Sequence, residues 1–145
     1  MASRISPEIQ RLLAERKLIR AKISKEMILK EISAAKDDLE DAKDSFKFKK
    51  YKWATIQGYY SMFHSARALL YSKGFREKSH YALLSAIREL FKNELENSLI
   101  ASFEEAMNLR QEADYGLKYS EEGALETIEG VEKFLKRVSE VLMMK

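Results

Sequence analysis

The chain has 145 residues, with 26 Lys and Arg against 23 Asp and Glu, a net charge of +3 and a sequence pI near 9.0. One proline, five glycines and no cysteine, beside 46% apolar and 34% charged residues, exclude a disulfide scaffold, a thiolate nucleophile or metal site and a turn-rich β fold. What remains is one all-α domain with enough length for a core, basic enough to accept an anionic partner without requiring one.

Ser6-Pro7-Glu8 places an N-cap, a proline at the first helical position and an acid in the first turn, which predicts a helix carrying Ile9, Leu12, Leu13 and Ile19. These first residues lack the apolar stretch of a secretion signal, and no run reaches membrane-spanning length, so a soluble, cytoplasmic protein is expected. Ser24 caps a second helix with Ile28, Ile32, Ala35, Leu39 and Ala42 at bundle spacing. Its acidic stretch 36–44 reads as a solvated face rather than a cation site. A basic link, Lys47-Phe48-Lys49-Lys50, follows; it reads as a solvated turn, although its charge could attract phosphate.

The third helix, 52–73, is the centre of the pattern. Trp53, Ile56, Tyr60, Phe63, His64, Arg67, Leu70 and Tyr71 share one broad face, while Met62 and Leu69 lie nearly opposite, so neighbours are expected on several sides. Its aromatic face offers more apolar surface than a small bundle readily hides, which predicts a dimer. Gly74 closes the helix, and Phe75 to His80 read as a short turn. Ser79 caps a fourth helix with Leu83, Leu84, Ile87, Leu90 and Phe91 inward. A break at 93–97 leads to a fifth helix, from about Ser98 to Tyr115, whose stripe of Leu99, Phe103, Ala106 and Ala113 includes Arg110. Gly116 ends it, and residues 121–143 form the last helix, with Ala124, Ile128, Val131, Leu135, Val138 and Leu142 in heptad-like register. The expected architecture is an up-and-down antiparallel bundle of five to six helices in a single domain, with residues 1–23 as an extra N-terminal helix and 24–143 as the core.

Three polar clusters interrupt the apolar pattern: His64 with Arg67, Lys78 with His80, and Arg110 with Asp114 and Tyr115. None fits a phosphate-binding glycine loop, a zinc spacing or a nucleophile elbow, so no bound metal and no cofactor are expected. Arg67 and Arg110 either anchor internal hydrogen-bond networks or line, with His64, a crevice where an anion supplies the missing counter-charge.

Gly58-Tyr59-Tyr60-Ser61-Met62-Phe63-His64-Ser65-Ala66-Arg67-Ala68-Leu69-Leu70, then Lys73-Gly74, Lys78-Ser79-His80 and Arg110-Gln111-Glu112-Ala113-Asp114-Tyr115, resemble the small stand-alone HEPN-domain proteins (higher eukaryotes and prokaryotes nucleotide-binding). The resemblance covers roughly Glu31 to Leu142. It implies a helical bundle that pairs as a homodimer, with a polar motif near the dimer cleft. It also implies a minimal nucleotidyltransferase partner in a toxin–antitoxin pair, and a nucleotide or RNA ligand. Many such toxins are metal-independent ribonucleases that use an arginine followed after four to six residues by a histidine. Here Arg110 is followed by Tyr115 where histidine is expected, and Arg76 and His80 are too close together and fall in a turn. Tyrosine, with a pKa of about 10, is a poor base at neutral pH.

The leading expectation is therefore a non-catalytic or weakly catalytic binding module with a patch of Tyr60, His64, Arg67, Lys78, His80, Arg110, Asp114 and Tyr115. The alternatives are a ribonuclease toxin, with Arg110 on the phosphate and His64 or His80 as base or acid, and a purely structural interaction protein.

Overall fold

The computed structural model describes residues 5–143. Its elements run α1 (Pro7–Ala14), β1 (Leu18–Arg20), α2 (Lys25–Lys47), α3 (Tyr51–Ser72), β2 (Phe75–Glu77), α4 (His80–Leu90), α5 (Asn97–Asp114) and α6 (Glu121–Met143). The all-α bundle is as expected, with six helices among the described residues. Serine side chains start α1, α2 and α4: the Oγ atoms of Ser6, Ser24 and Ser79 accept from the backbone N–H groups of Ile9, Met27 and Ala82 at 3.2, 3.2 and 3.0 Å. Gly74, at φ 81, ends α3 in the left-handed region that glycine enters at little cost.

The N-terminal region departs from the single helix expected over residues 1–23. Arg16 takes φ 58, and the N–H groups of Arg16 and Lys17 return to the carbonyls of Leu13 and Leu12, closing α1 after eight residues. Ile19 consequently lies on β1, which pairs antiparallel with β2 (Leu18 opposite Glu77, Ile19 opposite Arg76, Arg20 opposite Phe75). The segment after Gly74, read as a turn, is thus half of a small ribbon. Its ends are fastened by Ala21 N–H to Gly74 O and Lys78 N–H to Lys17 O, both 2.9 Å.

The central helix, α3, packs against α2, α4, α5, α6 and β2, while α2 also meets α6. Tyr59, Met62, Ala66, Leu69 and Leu70 are fully buried on it, and Ile56, Phe63 and Tyr71 are nearly so. This removes the premise of the dimer argument. The aromatic face is covered within one chain, and Trp53 is the only large apolar residue of α3 left well exposed.

At Gly58 α3 packs tightly on α6: a Cβ there would stand 2.8 Å from Thr127 Cγ2. Alanine is the better helix former by about 1 kcal/mol, but an unrelieved clash in a packed seam costs about 1–3 kcal/mol. Gly58→Ala should therefore destabilise the protein by roughly 1 kcal/mol. Adding Thr127→Ser, which deletes the obstructing methyl, should restore or exceed parent stability. Denaturant unfolding of both variants tests this, and a single mutant as stable as the parent would rule out the tight seam.

Candidate functional site

α3, α5 and the start of α4 converge on one polar cluster. Tyr59 points from α3 into the core, and its hydroxyl lies 2.6 Å from Nδ1 of His80, the first residue of α4. From α5, Arg110 brings Nη2 to 3.4 Å from the same Nδ1. The guanidinium carbon stands 5.1, 5.7 and 5.8 Å from the ring centres of Tyr59, Tyr60 and Tyr115. Arg110 is only 7% exposed, yet its carboxylate partner is loose: Asp114 Oδ2 is 3.6 Å from Nη1 on a side chain 37% exposed. Its Nε is buried and meets no acceptor among the described residues. Burial opposes the charge, but the surrounding tyrosine oxygens outweigh it and raise the guanidinium pKa.

These contacts fix the tautomer of His80. Burial drives the Tyr59 pKa upward, so its hydroxyl keeps its proton, and a guanidinium can only donate. The guanidinium approach to Nδ1 favours the lone pair there, with the Tyr59 hydroxyl donating to it and the hydrogen of the neutral ring on Nε2. Nε2 has no partner among the described residues. It is thus a hydrogen-bond donor beside a cation. His80 also lines a cleft of about 320 Å3 with Phe63, Arg67, Glu77, Lys78 and Ser79.

Burial and then Arg110 hold the His80 pKa below its ordinary value, with Glu77 pulling the other way. A group with a depressed folded pKa takes up its proton more readily in the unfolded chain. The stability contributed by neutral His80 is therefore complete above about pH 6.5 and lost as pH falls through the folded value. Thermal melts between pH 7.5 and 5 should show a steeper loss in the parent than in His80→Gln; matching slopes would exclude His80 as the titrating group.

The other expected site residues divide. Arg67 lines the cleft but is already satisfied: Nη2 and Nε donate to Glu77 Oε2 at 2.6 and 3.1 Å, and Glu31 Oε1 is 3.6 Å away. Burial opposes its charge, and the bonds to Glu77 more than compensate, raising its pKa. His64 turns to α2, with Nδ1 2.8 Å from Glu31 Oε1 and Nε2 3.7 Å from Asp38 Oδ2, apart from the Arg110 cluster. Lys78 is exposed on the cleft rim and Tyr60 is half-buried beside Arg110. Tyr115 is 77% exposed. Sequence reasoning missed Tyr59, Glu31 and Glu77. Tyr59 looked like core in an aromatic run, and both acids lie far enough from their partners in sequence that no helical spacing reveals them.

Comparison with known proteins agrees with this fold. The HEPN domain family model matches residues 28–144, and the chain belongs to that family. A Methanocaldococcus jannaschii protein named "Putative toxin MJ0605" is 35% identical over 114 residues, which cover 77% of this chain and 85% of that one. A Thermotoga maritima protein named only as UPF0332 is 30% identical over 112 residues, covering 74% of this chain and 85% of that one. The crystal structure of TT1696 from Thermus thermophilus superposes with a TM-score of 0.68 over 78% of this chain and 96% of that one. At 16% identity it speaks for the fold alone. Among the described residues no helix is long and apolar enough to cross a membrane.

Proposed function

We propose that the chain is a toxin-type HEPN module that binds the phosphate of single-stranded RNA or a nucleotide at Arg110 and His80. The observation that carries this reading is the pairing of a buried, loosely countered guanidinium with an imidazole whose Nε2–H is free to donate. A phosphate oxygen suits both donors and supplies the negative charge that Asp114 provides only weakly. Tyr60, Tyr115 and Lys78 flank the anion, while Arg67 shapes the cleft through Glu77.

The same tautomer weighs against strong catalysis. A general base at the cleft needs a lone pair on Nε2, and the two donors hold that lone pair on Nδ1. The second reading, a ribonuclease, draws on the closeness of His80 to Arg110: the fold supplies in space the imidazole that the sequence lacks after Arg110.

Partnership follows the relatives named as toxins. We place a nucleotidyltransferase-type antitoxin as the second component and, from the family resemblance rather than from any uncovered apolar face, a homodimer as the functional state, for which light scattering at micromolar concentration is the direct measurement.

Titration of labelled single-stranded RNA at 50 and 200 mM salt, with strand integrity read on the same samples, tests the reading. Binding that weakens with salt and leaves the strand intact supports the module. Cleavage that disappears in His80→Gln would select the ribonuclease, and absence of binding to RNA and to nucleotides would overturn both.

A further inference from the structure

The corner between α2 and α3 is a second charged surface, separate from the Arg110 cluster. Residues 47–53, Lys-Phe-Lys-Lys-Tyr-Lys-Trp, hold four lysines and no acid. Among the described residues none of these lysines pairs with a carboxylate. Phe48 is 69% exposed and Trp53 50%, and Lys52 Nζ sits 5.0 Å over the Trp53 ring. The third aromatic residue, Tyr51, turns inward against Phe46 and lies by Glu121. Asp44, in the last turn of α2, is the nearest acid in sequence, and Glu121 and Glu122 of α6 lie by Tyr51.

Folding alone does not account for these choices. Lys49 occupies a left-handed position, φ 62, where glycine is the easier residue. Lys50 precedes α3 without a side-chain cap, and the first turn of α3 has no acid. Lys49 and Lys50, at positions where stability favours other residues and next to two aromatic rings left in water, indicate a surface kept for a partner.

The alternation of cations with exposed rings identifies the partner chemistry. We propose that this corner is a docking surface for single-stranded RNA, with phosphates on Lys47, Lys49, Lys50 and Lys52 and bases stacked on Phe48 and Trp53. Trp53 lies two helical turns before Tyr60 on the same side of α3, about 10 Å along the axis. One short oligonucleotide can therefore reach from the corner to the Arg110 cluster. The proposal extends the RNA reading of that cluster but rests on different residues, and the two fail separately. An anionic membrane fits the lysines as well. Two exposed aromatic rings with no exposed aliphatic residue between them favour flat bases over acyl chains.

Trp53 is the only tryptophan, so its emission reports the corner directly. Adding 12-residue oligoadenylate to the full-length protein should quench Trp53 fluorescence. Replacing the four lysines with glutamine should weaken this binding at least tenfold, and Trp53→Leu should weaken it several-fold when binding is read by anisotropy of labelled RNA. Quenching by inorganic tripolyphosphate equal to that by RNA would reduce the corner to an ion cluster and overturn base stacking. A blue shift with phosphatidylglycerol vesicles, and no response to RNA, would replace the RNA surface with a membrane one. RNA binding that depends on Arg110 but leaves Trp53 emission and the lysine variant unchanged would overturn the corner and keep the cluster. Quenching unaltered by loss of Arg110 would support the corner and count against the cluster.

Discussion

Replacing Arg110 with methionine should leave folding stability within about 1 kcal/mol of the parent while weakening RNA or nucleotide binding at least tenfold. Methionine approximates the arginine stem in volume and lets α5 keep its packing, so no large cavity opens. The side chain loses its contacts with three tyrosine rings, each worth about 0.5–1 kcal/mol where partly wet. Against that loss, the variant no longer holds a buried charge whose Nε is unpartnered and whose carboxylate stands 3.6 Å away. These terms nearly cancel in stability. They do not cancel in binding, because a charge-assisted bond to phosphate contributes roughly 1.5–3 kcal/mol and methionine makes none. Denaturant unfolding and RNA titration of the same preparation decide the matter. A loss of several kcal/mol with affinity intact would make Arg110 a packing anchor, as the structural reading of the sequence allowed.

Arg67 should behave in the opposite way. Glu77 presents a side chain only 7% exposed and receives both Nε and Nη2, while Glu31 stands within ion-pair distance of the same guanidinium. Removing the arginine strands Glu77 in a nearly dry position. Breaking a buried pair from one side costs about 3–5 kcal/mol, and the 25% exposure of Arg67 argues for the lower end, about 3 kcal/mol. For a chain of this length that is roughly a 10 °C fall in Tm. Pairing Arg67→Met with Glu77→Gln should recover most of the loss, since the second change removes the orphaned charge. A single mutant within 1 kcal/mol of the parent would show that Glu77 finds water or another cation and that the pair is dispensable.

Two arginines that look alike on helical stripes thus separate once their partners are known. Their positions were legible, because a cation on an apolar line stands out. Their roles were not, since Glu77 meets Arg67 across a reversal of chain direction and His80 meets Arg110 at a separation of 30 positions. Local signals served the helices better. Serine caps at 6, 24 and 79 and the glycine at 74 mark ends that the fold keeps. The paired strands escaped notice because three residues carry too little alternation to distinguish a strand from a turn. Ile19, which suited a helix stripe by spacing, was drawn into that error when the chain reversed at Arg16.

The ribbon also sets who controls the cleft in time. Glu77 and Lys78 belong to a segment whose outer hydrogen bonds go to residues 17–21, all of which precede the stretch matched by the family, while His80 already belongs to α4. Two strands of three residues are a weak closure by themselves, but Leu18 and Phe75 sit in the core and Glu77 is tied to Arg67, so the ribbon opens only by giving up buried contacts. Exchange of the amide hydrogens in residues 75–78 would measure how firmly residues 17–21 hold that edge of the cleft. The hold on Glu77 and Lys78 then depends in part on residues 17–21, and sequence changes there can retune the cleft without touching its lining.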